Sequence, residues 1–426
     1  IQSQYNQYKS LEEAEKQKEI LKGFNTELEA DIKKLEQRKS DIAKQLKDDN
    51  ADLVQRLLKV KNEVDVLTGA NQPVPRESTS FKVVATKTID TFDNQAREAY
   101  INEISDNLSI LGRKTDFDDL ANIIITISQS QFTLFSGLPG TGKTSLAKLL
   151  GKSMGLKNRL LNIPVARGWS SPRDVLGLYD LLEQMQSPYE GDYTPALVLL
   201  DEFNLSQPEH YFSPFMEMAD TESNRKIYTG DPESPELFIP EHIRFLGTVN
   251  HDESVQVLTP RMLDRAAVIN FDNIVHQGIV AVVLEQAELG LKDSSIKGND
   301  FISLFQSSKL ALPDDINEIL HSITNILHDD SPELGTQIII SYRKIKAISS
   351  YYNVAAPLMI SNKLDALDFA VCQHIIPLLN GYGENFGNRL RKVLDTIPND
   401  MTKSIKKINR IIAQGDMNMQ TYGAFL

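Results

Sequence analysis

Cysteine is almost missing from this 426-residue chain: Cys372 is the only one. No internal disulfide can form, and a reducing, cytoplasmic setting is expected. Long apolar runs are missing too, and nothing approaches the roughly 20 residues that a membrane-crossing helix needs. Positive charge is short. There are 45 basic against 58 acidic residues, for a net charge of −13. Tight duplex-DNA binders carry a basic footprint because phosphate neutralisation dominates their affinity. DNA is therefore expected to be reached through a partner, or through a domain outside this sequence. The seven histidines show no metal-ligand spacing with Cys372, so no zinc site is expected. No serine–histidine or cysteine–histidine nucleophile pattern stands out, and no nuclease signature, so any DNA cutting belongs to another polypeptide or to a missing part. The chain opens at Ile1 rather than Met and reads as a piece of a longer protein, with any targeting signal out of view.

What is present divides into zones. Residues 10–68 hold no proline and one glycine, Gly23. Leu21, Leu28, Leu35 and Ile42 recur every seven residues, and Ile32 and Leu46 take the companion position. The spacing jumps by eleven to Leu53, and heptads resume through Val60 and Leu67. A four-residue insertion of this kind is a stutter. Residues 1–70 are therefore expected to form a coiled coil, either between chains or as a helical hairpin with its tip at "KDDN". A lone exposed helix is the weaker alternative, since a heptad stripe left in water invites association. Residues 71–80, within "TGANQPVPRESTS", read as a linker. From 81 to 272, the apolar runs "FTLFSG", "ALVLLDE" and "IRFLGTVN" alternate with helical patterns, which predicts an α/β domain with a parallel sheet. From 273 to 426 strand signals fade; "HQGIVAVVLEQAEL", "PDDINEILHSITNIL" and "KLDALDFAVCQHIIPLL" carry helical spacing, so this part is expected to be a helical lid.

The chemistry begins at "SGLPGTGKTSLAKLL". Gly137, Gly142, Lys143 and Thr144 satisfy G-x-x-x-x-G-K-[ST], which follows a strand and opens a helix. Backbone N–H groups of such a loop converge on phosphates, and the helix N-terminus adds partial positive charge. Lys143 reaches the β and γ oxygens, and Thr144 offers its hydroxyl to Mg²⁺. The nucleotide-binding set is Gly137, Pro139, Gly140, Thr141, Gly142, Lys143, Thr144 and Ser145. About sixty residues later, "LVLLDEFN" ends an apolar strand in two acids. Asp201 is expected to join Thr144 in holding Mg²⁺, and Glu202 to polarise an attacking water. A strand-end pair that merely solvates a sheet edge is the plainer alternative, weakened by the glycine loop. A chain that only stores nucleotide has no use for a carboxylate aimed at the γ-phosphate, so turnover is favoured.

Asn250 ends the strand "IRFLGTVN", where an amide can bridge water and γ-phosphate; Asn also simply suits turns. In "TPRMLDRAAVINF", Arg261 and Arg265 lie four apart, on one face if helical. Arginine stabilises a transferring phosphoryl group and can come from a neighbouring subunit. Arg265 is the favoured finger and Arg261 the second candidate; an ordinary surface pair with Asp264 is the alternative. Arg343 in "SYRKIKA" can reach the same nucleotide from the lid side, or be a surface arginine. Trp169 is more readily core packing than a pore residue.

Taken in order, the glycine loop, "LLDE", strand-end Asn, arginine pair and helical lid resemble an AAA+ ATPase module. The stretches "VARGWSSPRDVLG", "LLDEFNLSQPEHYFSPFMEMAD", "FIPEHIRFLGTVNHDESVQVLTPRMLDRA" and "LDFAVCQHIIPLLNGYGENF" look most like McrB-like motors of modification-dependent (type IV) restriction systems. The likeness covers roughly residues 120–390. It implies a ring, usually a hexamer, with nucleotide and Mg²⁺ at each subunit boundary. Lys143, Thr144, Asp201 and Glu202 then act in cis, Asn250 senses, and Arg261 or Arg265 reaches in from a neighbour. It also implies a separate, McrC-like nuclease subunit and a role in anti-phage DNA restriction. The family's best-known motor uses GTP. Here "NHDES" sets Asp252 and Glu253 close behind Asn250, a departure that favours ATP over GTP. The segment from Tyr179 to "ALVLLDE" is short for the family. A MoxR-like or midasin-like protein-remodelling ATPase, or a nucleotide-locked coiled-coil scaffold, are the competing readings.

Overall fold

The computed structural model describes residues 83–176, 193–219, 225–228, 236–250, 256–271, 287–307, 309–359 and 361–425, together with Lys33, Lys34 and Gln37. Lys33, Lys34 and Gln37 are helical and exposed. The heptad positions Leu21 to Leu67, the linker, the segment after Tyr179, Asp252 and Glu253, and most of "HQGIVAVVLEQAEL" lie outside the described residues. The chain divides into two compact units, Ile1–Thr79 and Ser80–Leu426, and the elements below belong to the second.

Strands β1 (Phe132–Gly137), β2 (Leu160–Pro164), β3 (Ala196–Asp201), β4 (Lys226–Tyr228), β5 (Glu236–Phe238), β6 (Ile243–Asn250) and β7 (Ala267–Asn270) follow in chain order. Five of them form one sheet in the order β2-β3-β6-β1-β7, parallel throughout, while β4 and β5 pair antiparallel. Parallel strands need crossovers that bury both sheet faces, which explains why "ALVLLD" is an unbroken apolar run rather than an alternating one. Successive side chains still point to opposite faces. Leu197, Leu199 and Leu246 join one core cluster, while Val198, Leu200 and Phe245 join the other.

The first cluster packs against α1 (Asn94–Ile110), α2 (Phe117–Gln129) and α3 (Lys143–Ser153). Asp93 caps α1 by accepting from Ala96 N at 2.9 Å, and Asp116 caps α2 by accepting from Asp118 N at 3.1 Å; each satisfies a backbone donor that a helix start leaves open. Short helices α4 (Pro172–Leu176), α5 (Pro208–Tyr211) and α6 (Ser213–Met216) precede β4, and α7 (Pro260–Arg265) leads into β7. The second cluster takes Phe203, Tyr211, Phe212 and Phe215. Trp169 packs at its edge, its ring 5.3 Å from that of Tyr211, as a packing role requires.

Beyond β7 the described chain is mainly helical: α8 (Gly298–Phe305), α9 (Asp314–His328), α10 (Tyr342–Ala355), α11 (Asp365–His374), α12 (Glu384–Thr396) and α13 (Thr402–Met417). The helical character expected of this part is present, with one small addition. β8 (Asn380–Tyr382) and β9 (Thr421–Gly423) form a small antiparallel pair. The turn-prone "NGYG" after α11 carried that signal. Fully buried Arg389 ties the group together by donating to carbonyls of Leu327, Asp329, Leu334 and Gly335.

Candidate active site

β1 delivers the chain to the glycine loop and α3 leaves it, so the loop sits at the C-terminal end of a central strand, where open α/β sheets bind ligands. Gly140 and Gly142 have φ of 82° and 79°, the left-handed region that residues with a Cβ enter at a cost. A Cβ at Gly140 would touch nothing, so conformation rather than space requires glycine there. Leu138, Pro139 and Gly140 face solvent, as does Ser145 one turn into α3. Thr141 Oγ1 donates to Leu138 O at 2.8 Å and braces the bend. The Lys143 side chain is buried, and its Nζ lies within the arc, donating to Gly137 O and Leu138 O, both at 2.8 Å.

The acids come from the neighbouring β3. Asp201 Oδ1 accepts from Thr144 Oγ1 at 2.6 Å and from Thr248 Oγ1 at 2.7 Å. The hydroxyl and carboxylate oxygens expected to share a cation are thus already in contact. Both are hard oxygen donors, the type Mg²⁺ prefers. Glu202 has φ of 56°, a conformation that costs a β-carbon residue roughly 1 kcal/mol. Two hydrogen bonds hold the turn: Glu202 N donates to Thr248 Oγ1 at 2.8 Å, and Phe203 N to Thr248 O at 2.8 Å. Asn250 is register-paired with Gly137, beside the loop's first residue. Its backbone is clamped by Asn204, whose Nδ2 donates to Asn250 O at 3.0 Å and whose Oδ1 accepts from Asn250 N at 3.3 Å.

Thr248 and Asn204 were missed by reading the sequence. Each had a signal, a lone polar residue inside an apolar run and an amide one turn past the acids, but only the β3–β6 pairing gives it meaning. A cavity of about 290 Å³ next to the loop was missed as well. Ser136 and Asn270 line it from the sheet, and Lys406, Lys407 and Arg410 from α13.

The arginines gather elsewhere. Thr259 caps α7 by accepting from Met262 N, and Pro260 takes its first position, where a missing N–H costs nothing. Arg261 is exposed and Arg265 half-buried; Arg265 Nη1 donates to Arg261 O at 3.3 Å. Because Thr133 is paired with Ala267, Arg265 stands level with the start of β1. The glycine loop follows the other end, roughly 20 Å away at about 3.3 Å per strand residue. Arg343, the candidate for reaching the nucleotide from the lid side, stands with this group. It is ion-paired with Asp264 of α7, and Ser341 Oγ bonds the same carboxylate at 2.5 Å. The cap of α10 is thereby fastened to the arginine helix, not to the loop. Beside them Lys344 is buried and donates to Ala266 O at 2.6 Å; burial pushes its ammonium down from 10.5 to about 7.

Comparison with known proteins fits this geometry. Residues 133–272 match the family model described as "ATPase family associated with various cellular activities (AAA)". The chain carries an AAA ATPase domain. Its limits run from β1 to just past β7 and take in the glycine loop, the acids, Asn250 and the arginine helix. A match to this family implies nucleotide binding, typically with Mg²⁺, and suggests nucleotide hydrolysis. Residues 289–421 match a "Domain of unknown function (DUF8727)", which covers the helices after the AAA domain. No curated protein matches the chain. A solved structure described as "a putative ATPase from Cytophaga hutchinsonii" is similar at 14% identity and a TM-score of 0.41, over 65% of this chain and 86% of that one. Among the described residues, no helix is long and apolar enough to cross a membrane.

Proposed function

We propose that this chain is the ATP-hydrolysing motor subunit of a ring of identical copies, hexameric as the McrB-like resemblance implies, in a DNA-restriction complex that includes a separate nuclease subunit. One observation carries the motor reading. Thr144, Asp201, Glu202 and Asn250 converge beside the glycine loop, while Arg261, Arg265 and Arg343 collect at the opposite end of the same sheet. On this reading the two groups are the halves of a phosphoryl-transfer site, carried at opposite ends of one sheet. Head-to-tail contact in a closed ring would bring them together, setting the arginine end of one copy against the triphosphate of the next.

The loop N–H groups and the start of α3 cradle the phosphates, and Lys143 turns its Nζ from its own carbonyls to the β and γ oxygens. Thr144 and Asp201 would hold Mg²⁺, which when bound neutralises charge on those oxygens. Glu202 orients a water in line with the γ-phosphorus and takes its proton as the P–O bond forms. The β–γ bridging oxygen leaves with the electron pair of the broken bond. Asn250 contacts that water and the γ-phosphate, and Arg265 of the neighbouring copy offsets the developing charge. Glu202→Gln should bind ATP and lose turnover by about 100-fold or more. A Glu202→Gln protein that hydrolysed both ATP and GTP at the wild-type rate would sink the reading.

The restriction role is tested by what the intact protein carries through purification. A nuclease subunit whose cleavage depends on hydrolysis supports it. A client enzyme or adhesion-type domain in its place would make the chain a protein-remodelling ATPase of the MoxR or midasin kind. Tight nucleotide retention without turnover would make it a scaffold.

A further inference from the structure

Away from the glycine loop lies a second cavity, of about 360 Å³. Ser130, just past α2, and Arg244, on β6, line it from the core; Arg343, Lys346 and Ser350 of α10 and His374 at the end of α11 line it from the helices beyond. No Asp or Glu is among its described lining residues. Arg244 is six residues upstream of Asn250 on the same strand, so the cavity opens at the arginine end of the sheet. Arg244 and His374 are only 6% and 4% exposed. Arg244 Nε and His374 Nδ1 are buried with no hydrogen-bond partner among the described residues. Leaving such a group unsatisfied costs about 1–3 kcal/mol, and native structures seldom do so without a reason.

Beside these unmatched atoms, some buried polar groups are answered within the chain, although Thr133 Oγ1 on the neighbouring strand has no partner among the described residues. Tyr351 bonds Asn122 at 2.6 Å, and Arg244 Nη1 bonds Gln131 at 2.8 Å. What distinguishes Arg244 and His374 is that both unmatched groups belong to residues lining one cavity. The positive charge is also reinforced from outside: Arg225 shares Gln131 Oε1 with Arg244, at 3.0 Å. Burial, and after it Arg225, pushes the Arg244 guanidinium down to about 9, against the opposing pull of Glu241. A guanidinium fork, an ammonium and neutral hydroxyls around a pocket at the small end of the usual ligand range suit the tetrahedral oxygens of a phosphate.

We propose that this cavity binds a small phosphate-bearing anion, gripped by Arg244, Lys346 and His374, which bridges the AAA core to the helices α10 and α11. The proposal does not rest on the hydrolysis reading, because none of these three residues serves the glycine loop.

The test uses the full chain with Lys143→Ala, which weakens phosphate binding at the glycine loop. Equilibrium dialysis with radiolabelled orthophosphate and pyrophosphate should find one anion held per chain, and the bound probe should raise the melting temperature. Adding Lys346→Glu, a change on a half-buried helix position, should weaken retention at least tenfold and abolish the melting shift. Arg244→Gln, which can still bond Gln131, should do the same. Failure of the Lys143→Ala chain to hold either probe would overturn the proposal, and so would retention that neither substitution changes.

Discussion

At the C-terminal ends of the strands, hydroxyls and carboxylates satisfy one another within the chain: Thr144, Thr248 and Asp201 share one oxygen, and Asn204 clamps Asn250. At the N-terminal ends, cations are collected and partly buried: Arg225 and Arg244 on Gln131, Arg343 on Asp264, and Lys344 on a backbone carbonyl. The first end gathers hydroxyl and carboxylate oxygens beside the glycine loop. The second is a block of positive charge tied to the helical region beyond the AAA domain. A parallel sheet produces this division, since every crossover returns the chain to the same edge before the next strand starts. The link from Asp264 to Ser341 and Arg343 also gives the arginine helix a mechanical connection to α10, so movement of one is felt by the other.

The sharpest way to break the comparison is to disable each end in a separate chain. Arg265→Ala should lower steady-state hydrolysis by about 10³-fold, the scale of a lost arginine finger, with nucleotide binding retained. Lys143→Ala should be equally inactive through lost phosphate contact. If the two ends serve each other between copies, mixing the inactive proteins restores part of the activity, because some boundaries then pair an intact loop with an intact arginine. Mixtures as dead as their components would show that the arginine end serves some other purpose.

A smaller effect separates the ends by their electrostatic load. Lys344 is held down near 7 by burial, with Asp264 opposing and Arg343 reinforcing the shift; the nearby His374 is also pushed down, by burial and then by Lys344. Above pH 10.5 the lysine is neutral in both folded and unfolded chains and costs nothing. As pH falls from 10.5 to about 7, the unfolded chain takes up a proton that the folded one resists, so stability is lost; below about 7 both states carry it and the loss stops. Lys344→Met removes this dependence. Between pH 9 and pH 7 the wild type should lose about 2 kcal/mol relative to Lys344→Met, measured by urea unfolding at both pH values. A difference between the two proteins that stays flat would show that the ammonium is not under strain.

Much of this was legible in the sequence where the information is local. The glycine loop is fixed by contiguous residues, and "LVLLDE" and "IRFLGTVN" announce buried strands ending in polar groups. Their adjacency to the loop then follows from the parallel sheet. What could not be read depends on contacts between distant segments. Arg343 and Asp264 are 79 residues apart, and no local pattern states which end of the sheet α10 will meet. Arg244 looks like a strand residue until the cavity beside it is seen. The β8–β9 pair joins segments about forty residues apart, so "NGYG" indicates a turn without naming the strand's partner.

The mildest test sits within the glycine-loop end and asks whether its order is functional. Thr248→Val keeps the shape of the side chain and removes a hydroxyl that both donates to Asp201 and accepts from Glu202 N. Glu202 loses the bond that offsets its left-handed backbone, and Asp201 loses one of its two hydroxyl partners. The contacts of Lys143 are untouched. Turnover should therefore fall about tenfold while KM for ATP stays near the wild-type value, the pattern of an interaction that matters in the transition state more than in binding. A rise in KM alone would place Thr248 in nucleotide binding. An unchanged kcat would mean that the strained turn at Glu202 holds its position without help, and that the contrast between the two ends is one of packing rather than of chemistry.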